Sequence, residues 1–152
     1  METTTKEAFN IVGIATRTNN NNGEAAKDIP ALWAKFWSEN VMAAITDKTD
    51  DTIYCVYTNY EGDYLKPYTT VLGCRVNSID QVPEGFTYLS IPAADYAVFT
   101  AKGDMMKGIV FDKWTEIWNT DLNRAYTADF EVYGEKAQRP DDAQVDIFIA
   151  LK

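Results

Sequence analysis

Apolar positions along this chain fall into short runs that alternate between a strand period and a helix period, and turn-forming residues bound each run. The first run, Phe9-Asn10-Ile11-Val12-Gly13-Ile14-Ala15-Thr16, is β-branched and gives way to the polar residues Asn19 to Asn22 and Gly23, which predicts a strand and then a loop. Trp33, Trp37, Val41, Ala44 and Ile45 recur at helical spacing, so a helix with one buried face is expected, with Asp28 as its N-cap and Pro30 in its first turn. Residues 52–57 and 68–76 read as strands of a hairpin turning through Glu61-Gly62-Asp63. After a connector holding Asn77, Pro83 and Gly85, the strand pattern resumes over 86–91 and 96–100, with Pro92 as a bend or bulge between them. Gly103 and Asp104 lead into a second helix carrying Val110, Trp114, Ile117 and Trp118 and ending near Asn119. Two further strands are expected over 128–133 and 145–151, separated by a loop over 134–143.

Placed side by side, the two halves of this pattern repeat with a period near eighty residues. The copies run over about 8–77 and 86–151, each a β-α-β-β unit, within a single domain spanning 1–152. The pair Trp33 and Trp37 parallels Trp114 and Trp118, and Ile53-Tyr54-Cys55-Val56-Tyr57 aligns with Asp129-Phe130-Glu131-Val132-Tyr133 so that both Val-Tyr pairs fall in register. That alignment sets Cys55 opposite Glu131. The fold class that follows is α+β: duplicated β-α-β-β units forming an antiparallel sheet of eight strands, with two helices packed through their Trp faces on one side.

Charge and composition narrow the function. The formal charge is −9 and the 14 basic residues are scattered without a stripe, so direct contact with nucleic acid is not expected; an acidic balance serves solubility and also suits a cationic ligand. Histidine is absent, which removes catalysis through a His base, a His-ligated metal and a His-ligated haem. No metal or other cofactor is expected. Cys55 and Cys74 lack metal-ligand spacing and are too few for a disulfide framework, so they read as reduced strand residues. The start METTTKEAF lacks the basic and apolar pattern of a secretory signal, and no apolar stretch reaches spanning length, so a cytoplasmic protein without a membrane partner is expected.

Aromatic residues make up 13% of the chain, and their placement relative to carboxylates is the chemical lead. Side chains alternate along a strand, so Asp129, Glu131 and Tyr133 share one face while Phe130 and Val132 take the other. If the first face is the inner one, Glu131 enters an aromatic space where an ionised carboxylate needs a hydrogen bond or a cation. The plainer readings stand beside this one. Glu131 facing solvent or pairing with Arg124 or Lys136 is ordinary surface chemistry, the four Trp spacings are what helix burial alone requires, and Tyr57 and Tyr133 suit either a core or a pocket wall.

The segment Leu89 to Phe99 with Gly103, the helix ending in Trp118, and Asp129-Phe130-Glu131-Val132-Tyr133 together resemble the GyrI-like effector-binding domain, the ligand-sensing module of bacterial transcription activators that also occurs free-standing. The resemblance covers nearly the whole chain. It implies Glu131 as the buried acid that meets lipophilic cationic molecules, with Tyr96, Phe99 and Tyr133 as cavity walls; repeat symmetry adds Tyr57, Trp37, Trp114 and Trp118. No helix-turn-helix precedes the first strand, so reporting through attached DNA binding is not expected. Three functions follow from the resemblance. The leading one is binding of cationic drug-like effectors. The others are a hydrolase of strained electrophiles using Glu131 as general base, and an inhibitor of the gyrase-inhibitor type that acts on a protein partner. A haem-binding family shares the architecture, but the lack of histidine argues against it.

Overall fold

The computed structural model describes residues 2–152 and is α+β. Its strands are β1 (Glu2–Lys6), β2 (Phe9–Thr18), β3 (Lys48–Thr58), β4 (Tyr68–Val76), β5 (Thr87–Ile91), β6 (Ala94–Gly103), β7 (Ala128–Tyr133) and β8 (Ala143–Ala150). The helices are α1 (Glu24–Ser38), the one-turn α2 (Val41–Ala44) and α3 (Ile109–Trp118). The order strand, helix, strand, strand therefore occurs twice, as β2-α1-β3-β4 and β6-α3-β7-β8. All eight strands form one antiparallel sheet in the order β1-β6-β8-β7-β3-β4-β2-β5.

That order forces the sheet to curl. β1 and β2 lie six strand positions apart, about 29 Å in a flat sheet, yet only Glu7 and Ala8 join them, a link that reaches no more than about 11 Å. Pro92 and Ala93 impose the same constraint on β5 and β6, which also stand six positions apart. A bulge at Pro92 within one strand, as the sequence allows, is thus replaced by a crossover between opposite ends of a half-barrel. Where β2 and β4 cross, Gly13 faces Gly73, and a Cβ on Gly73 would stand 2.1 Å from the Val12 carbonyl oxygen, so only glycine allows that approach.

Both faces of the curled sheet are buried. One carries Val12, Ile14, Cys55, Leu72 and Ile147 against Leu32 and Phe36 of α1 and Trp114 and Ile117 of α3. The other holds a second core in which Phe9, Tyr96, Phe130 and Phe148 pack ring against ring. Among the described residues no helix covers this second face, yet Phe130 is fully buried. The sheet itself must close over it, which explains why neighbouring residues such as Val71 and Leu72 are both inside. Cys55 and Cys74 are buried and unbonded.

The first helix departs from its expected bounds. It begins at Glu24, directly after Gly23 in the left-handed conformation (φ 71°), and Asp28 lies inside it rather than capping it. It stops at Ser38, and Asn40 (φ 51°) turns the chain so that Val41 and Ile45 reach the core from a separate turn. Leu32 and Phe36 supply the buried face, and Trp37 is 58% exposed. In the second unit Asp104 caps a short 3-10 turn over Met105–Lys107, accepting from the Met106 N–H at 2.9 Å, before Gly108 opens α3. The expected loop over 134–143 contains two further 3-10 turns, and the last strand ends at Ala150.

Candidate functional site

Register places the site at the centre of the sheet. β3 and β7 pair with Cys55 across from Glu131, Tyr57 across from Asp129 and Ile53 across from Tyr133. Strand alternation then points Cys55, Tyr57, Asp129, Glu131 and Tyr133 at the helices. Between α1 and α3 the sheet is left partly uncovered, and a cavity of about 290 Å³ opens there. Tyr133 meets Trp33 of α1 edge to face (centroids 4.9 Å apart) and Tyr57 meets Trp114 of α3 in the same way (5.4 Å), so the two helices frame the cavity with matching aromatic pairs.

Glu131 forms the floor of this cavity and is 2% exposed. Its Oε2 accepts from the Tyr57 hydroxyl at 2.8 Å and from Trp114 Nε1 at 2.6 Å, and its Oε1 accepts from the Tyr133 hydroxyl at 2.5 Å. All three donors are neutral. Burial pushes the Glu131 carboxyl above the ordinary carboxylate value, while the hydrogen bonds from Tyr133, Tyr57 and Trp114 pull it back. Burial also holds the Tyr57 and Tyr133 hydroxyls well above their usual value, so both remain donors at neutral pH. Neither Arg124 nor Lys136 pairs with Glu131, and among the described residues no ion pair involves it.

This arrangement sets a pH dependence. A carboxyl whose folded value lies above its unfolded one binds its proton more tightly when folded, so ionising it as pH rises removes stability. Glu131→Gln keeps an acceptor for Trp114, and its amide can donate to a tyrosine oxygen. The variant is expected to melt about 2–4 °C above the wild type at pH 7, on the order of 1 kcal/mol. The difference should shrink as pH falls toward about 4, the unfolded glutamic acid value. Thermal melts of both proteins across that range check it, and a variant less stable at pH 7 would show that the hydrogen bonds outweigh desolvation.

A second buried carboxylate sits two residues along β7. Asp129 Oδ2 accepts from Arg124 Nη2 at 2.7 Å and from the Tyr60 hydroxyl at 2.5 Å, and Oδ1 accepts from the Ala150 N–H at 2.8 Å. Arg124 reaches the cavity wall, but its charge is matched by Asp129. Glu131 is therefore the cavity carboxyl whose charge, once ionised, no described basic residue matches.

The structure brings Glu131, Tyr133, Tyr57, Trp114 and Trp118 to one cavity. It does not bring the other candidates there. Tyr96 lies on the opposite face of the sheet, packed on Phe130 and Phe148, because the crossover at Pro92 and Ala93 sets the phase of β6. Phe99 is on the helix side but packs into the first core without lining the cavity. Trp37 points outward from α1 because its neighbour Phe36 takes the inward position. The sequence reading missed Trp33 as a wall, and also Tyr60, Tyr64 and Tyr68, which enter from the β3–β4 connection and its flank. Their only sequence signal is the aromatic density around the expected turn at Glu61-Gly62-Asp63.

Comparison with known proteins bears on the family and the fold. YobU of Bacillus subtilis (strain 168) is 35% identical over 144 residues, covering 92% of this chain and 90% of that protein. The integron cassette protein VCH_CASS2 from the mobile metagenome of Vibrio cholerae has a TM-score of 0.77 at 30% identity, over 99% of this chain and 95% of that one. SAV2435, solved bound to tetraphenylphosphonium, has a TM-score of 0.80 at 18% identity, over 99% and 93% of the two chains, a likeness of fold. The architecture is that of the GyrI-like effector-binding domains, as the sequence resemblance implied. A profile described as Cass2, integron-associated effector binding protein, matches residues 2–151, and the chain belongs to that family.

Proposed function

We propose that this protein binds lipophilic cationic small molecules in the cavity between α1 and α3, with Glu131 as the counter-charge and the aromatic walls as the apolar contact. The observation that carries the reading is the bonding of Glu131, a buried carboxylate held by three neutral donors and in no ion pair with a basic residue among the described residues. Hydrogen bonds from hydroxyl and indole groups orient such an anion but leave its charge unmatched, and a desolvated cation over it gains from both the charge and the negative ring faces of Tyr and Trp. Family membership supports effector binding, and tetraphenylphosphonium in the SAV2435 structure shows that a protein of this fold takes a lipophilic cation. The chemistry of the site extends that class to this chain.

The test is charge selectivity. Tetraphenylphosphonium and the neutral triphenylphosphine oxide, titrated calorimetrically at low salt and neutral pH, are expected to differ in affinity by at least about tenfold in favour of the cation, near 1.4 kcal/mol. Equal affinities would mean that the cavity selects by shape alone.

A further inference from the structure

We propose that Tyr64, stacked on Trp118 and clamped through its loop by Asn20 and Asn21, is a gate that sets access to the cavity. The inference rests on the binding reading of that cavity and adds residues that reading does not need.

The asparagine run 19–22 has the composition of a plain loop, yet its side chains are committed to contacts across the fold. Asn20 Nδ2 donates to the Tyr64 carbonyl at 2.7 Å, Asn21 Nδ2 donates to the Leu65 carbonyl at 2.6 Å, and Asn20 Oδ1 accepts from the Tyr68 hydroxyl at 2.6 Å. Asn19 braces the run, accepting from the Asn21 N–H and donating to Glu24. Two consecutive carboxamides thus hold two consecutive carbonyls of the β3–β4 connection, some 44 residues away in the chain. The held segment carries Tyr64 onto the α3 side, where its ring lies nearly parallel to Trp118 (centroids 5.5 Å apart, planes at 12°).

Asn20, Tyr64 and Trp118 all line the cavity, so this stack narrows it where the β2–α1 loop, the β3–β4 connection and the end of α3 meet. Two features favour a movable closure over a fixed wall. Side-chain-to-carbonyl bonds and ring contact hold the stack, while the backbone bonds of the connection, Glu61 N–H to the Pro67 carbonyl at 3.0 Å and Lys66 N–H to the Asp63 carbonyl at 3.1 Å, stay within that loop, so it can shift as a unit; the neighbouring Leu65 and Phe111 are 48% and 64% exposed. At about 290 Å³ the cavity also stands at the small end of the range for drug-sized ligands, so a larger guest needs a wall that moves. Opening the stack would free the Trp118 face, and an aromatic arm of the ligand can take the place of Tyr64 on it.

A gate and a passive wall differ kinetically. Loss of a wall contact raises the dissociation rate alone, whereas loss of a gate raises association and dissociation together. In a Trp37→Phe background, which removes the exposed tryptophan outside the cavity, tetraphenylphosphonium binding followed by stopped-flow tryptophan fluorescence should be faster in both directions by about fivefold in Asn20→Ala/Asn21→Ala and in Tyr64→Ala. Quenching by acrylamide, a neutral probe of cavity access, should rise about twofold or more in the same two variants. Unchanged quenching and an unchanged association rate would overturn the gate. If quenching rises while tetraphenylphosphonium fails to bind the parent protein, the gate stands and the cation reading falls.

Discussion

Asp129→Ala is expected to destabilise the protein by about 3–5 kcal/mol, the usual cost of breaking a buried ion pair from one side, and to lower its melting temperature by about 6–20 °C. The substitution strands three groups at once. Arg124, whose side chain is 6% exposed, keeps a guanidinium without an anion. The Tyr60 hydroxyl and the Ala150 N–H lose their acceptor. Among the described residues Arg124 Nε already lacks a hydrogen-bond partner, so the guanidinium keeps only its stacking on the Tyr126 ring, 4.3 Å from the centroid. The double variant Asp129→Ala/Arg124→Leu should recover part of the loss, because removing both charges also removes the desolvation they impose. Chemical denaturation of the three proteins separates these cases. A loss below about 1 kcal/mol in the single variant would show that water in the cavity solvates Arg124, contrary to its placement as a closed pair.

Glu131→Gln is expected to weaken binding of a lipophilic cation by about 1.5–3 kcal/mol, the scale of a charge-assisted contact in a buried site, or roughly tenfold to more than a hundredfold in affinity. The amide fills the same volume and can keep Trp114 Nε1 and the tyrosine hydroxyls paired, so the change isolates the charge. A neutral isostere loses only what repacking costs and should keep its affinity within about threefold. Parallel titrations of both ligands decide the outcome. Equal weakening would make Glu131 a shaping residue, and an unchanged cation affinity would move the site elsewhere.

What could be read in the sequence follows from which forces are local. Alternation along residues 129–133 gave the residues that share a face with Glu131, because strand periodicity leaves a direct trace in residue order; the pairing of β3 with β7 did not follow from the repeat alignment, since the strands run antiparallel with Ile53 across from Tyr133 and Tyr57 across from Asp129. The α1 stripe was misread for a geometric reason. From Trp33 to Trp37 the four-residue step gains about 40° around the helix, so Trp37 leaves the stripe of Leu32 and Phe36, and α1 ends at Ser38 before Val41 and Ile45, which are buried from a separate turn. Tyr96 was named as a wall by the family resemblance alone; it stands three residues from Phe99 on β6, so alternation puts it on the other face of the sheet. The loop aromatics Tyr60 and Tyr64 reach the cavity only through the curl and the asparagine clamp, and no local period encodes either.

The two-residue crossovers also govern how the chain acquires its structure. Each leading strand is completed by the opposite half: β1 pairs with β6, as in Glu2 with Val98, and β5 pairs with β2, as in Phe9 with Ile91. Neither half can satisfy its outer ladder alone, and the pairs of these two ladders span 74 to 96 residues of chain. Such a high contact order predicts slow, strongly cooperative folding. A nascent chain released after β4 would present β2 as an open, apolar edge until β5 is made. Cutting the chain between the units should therefore yield two fragments that aggregate separately and regain the native sheet only when mixed.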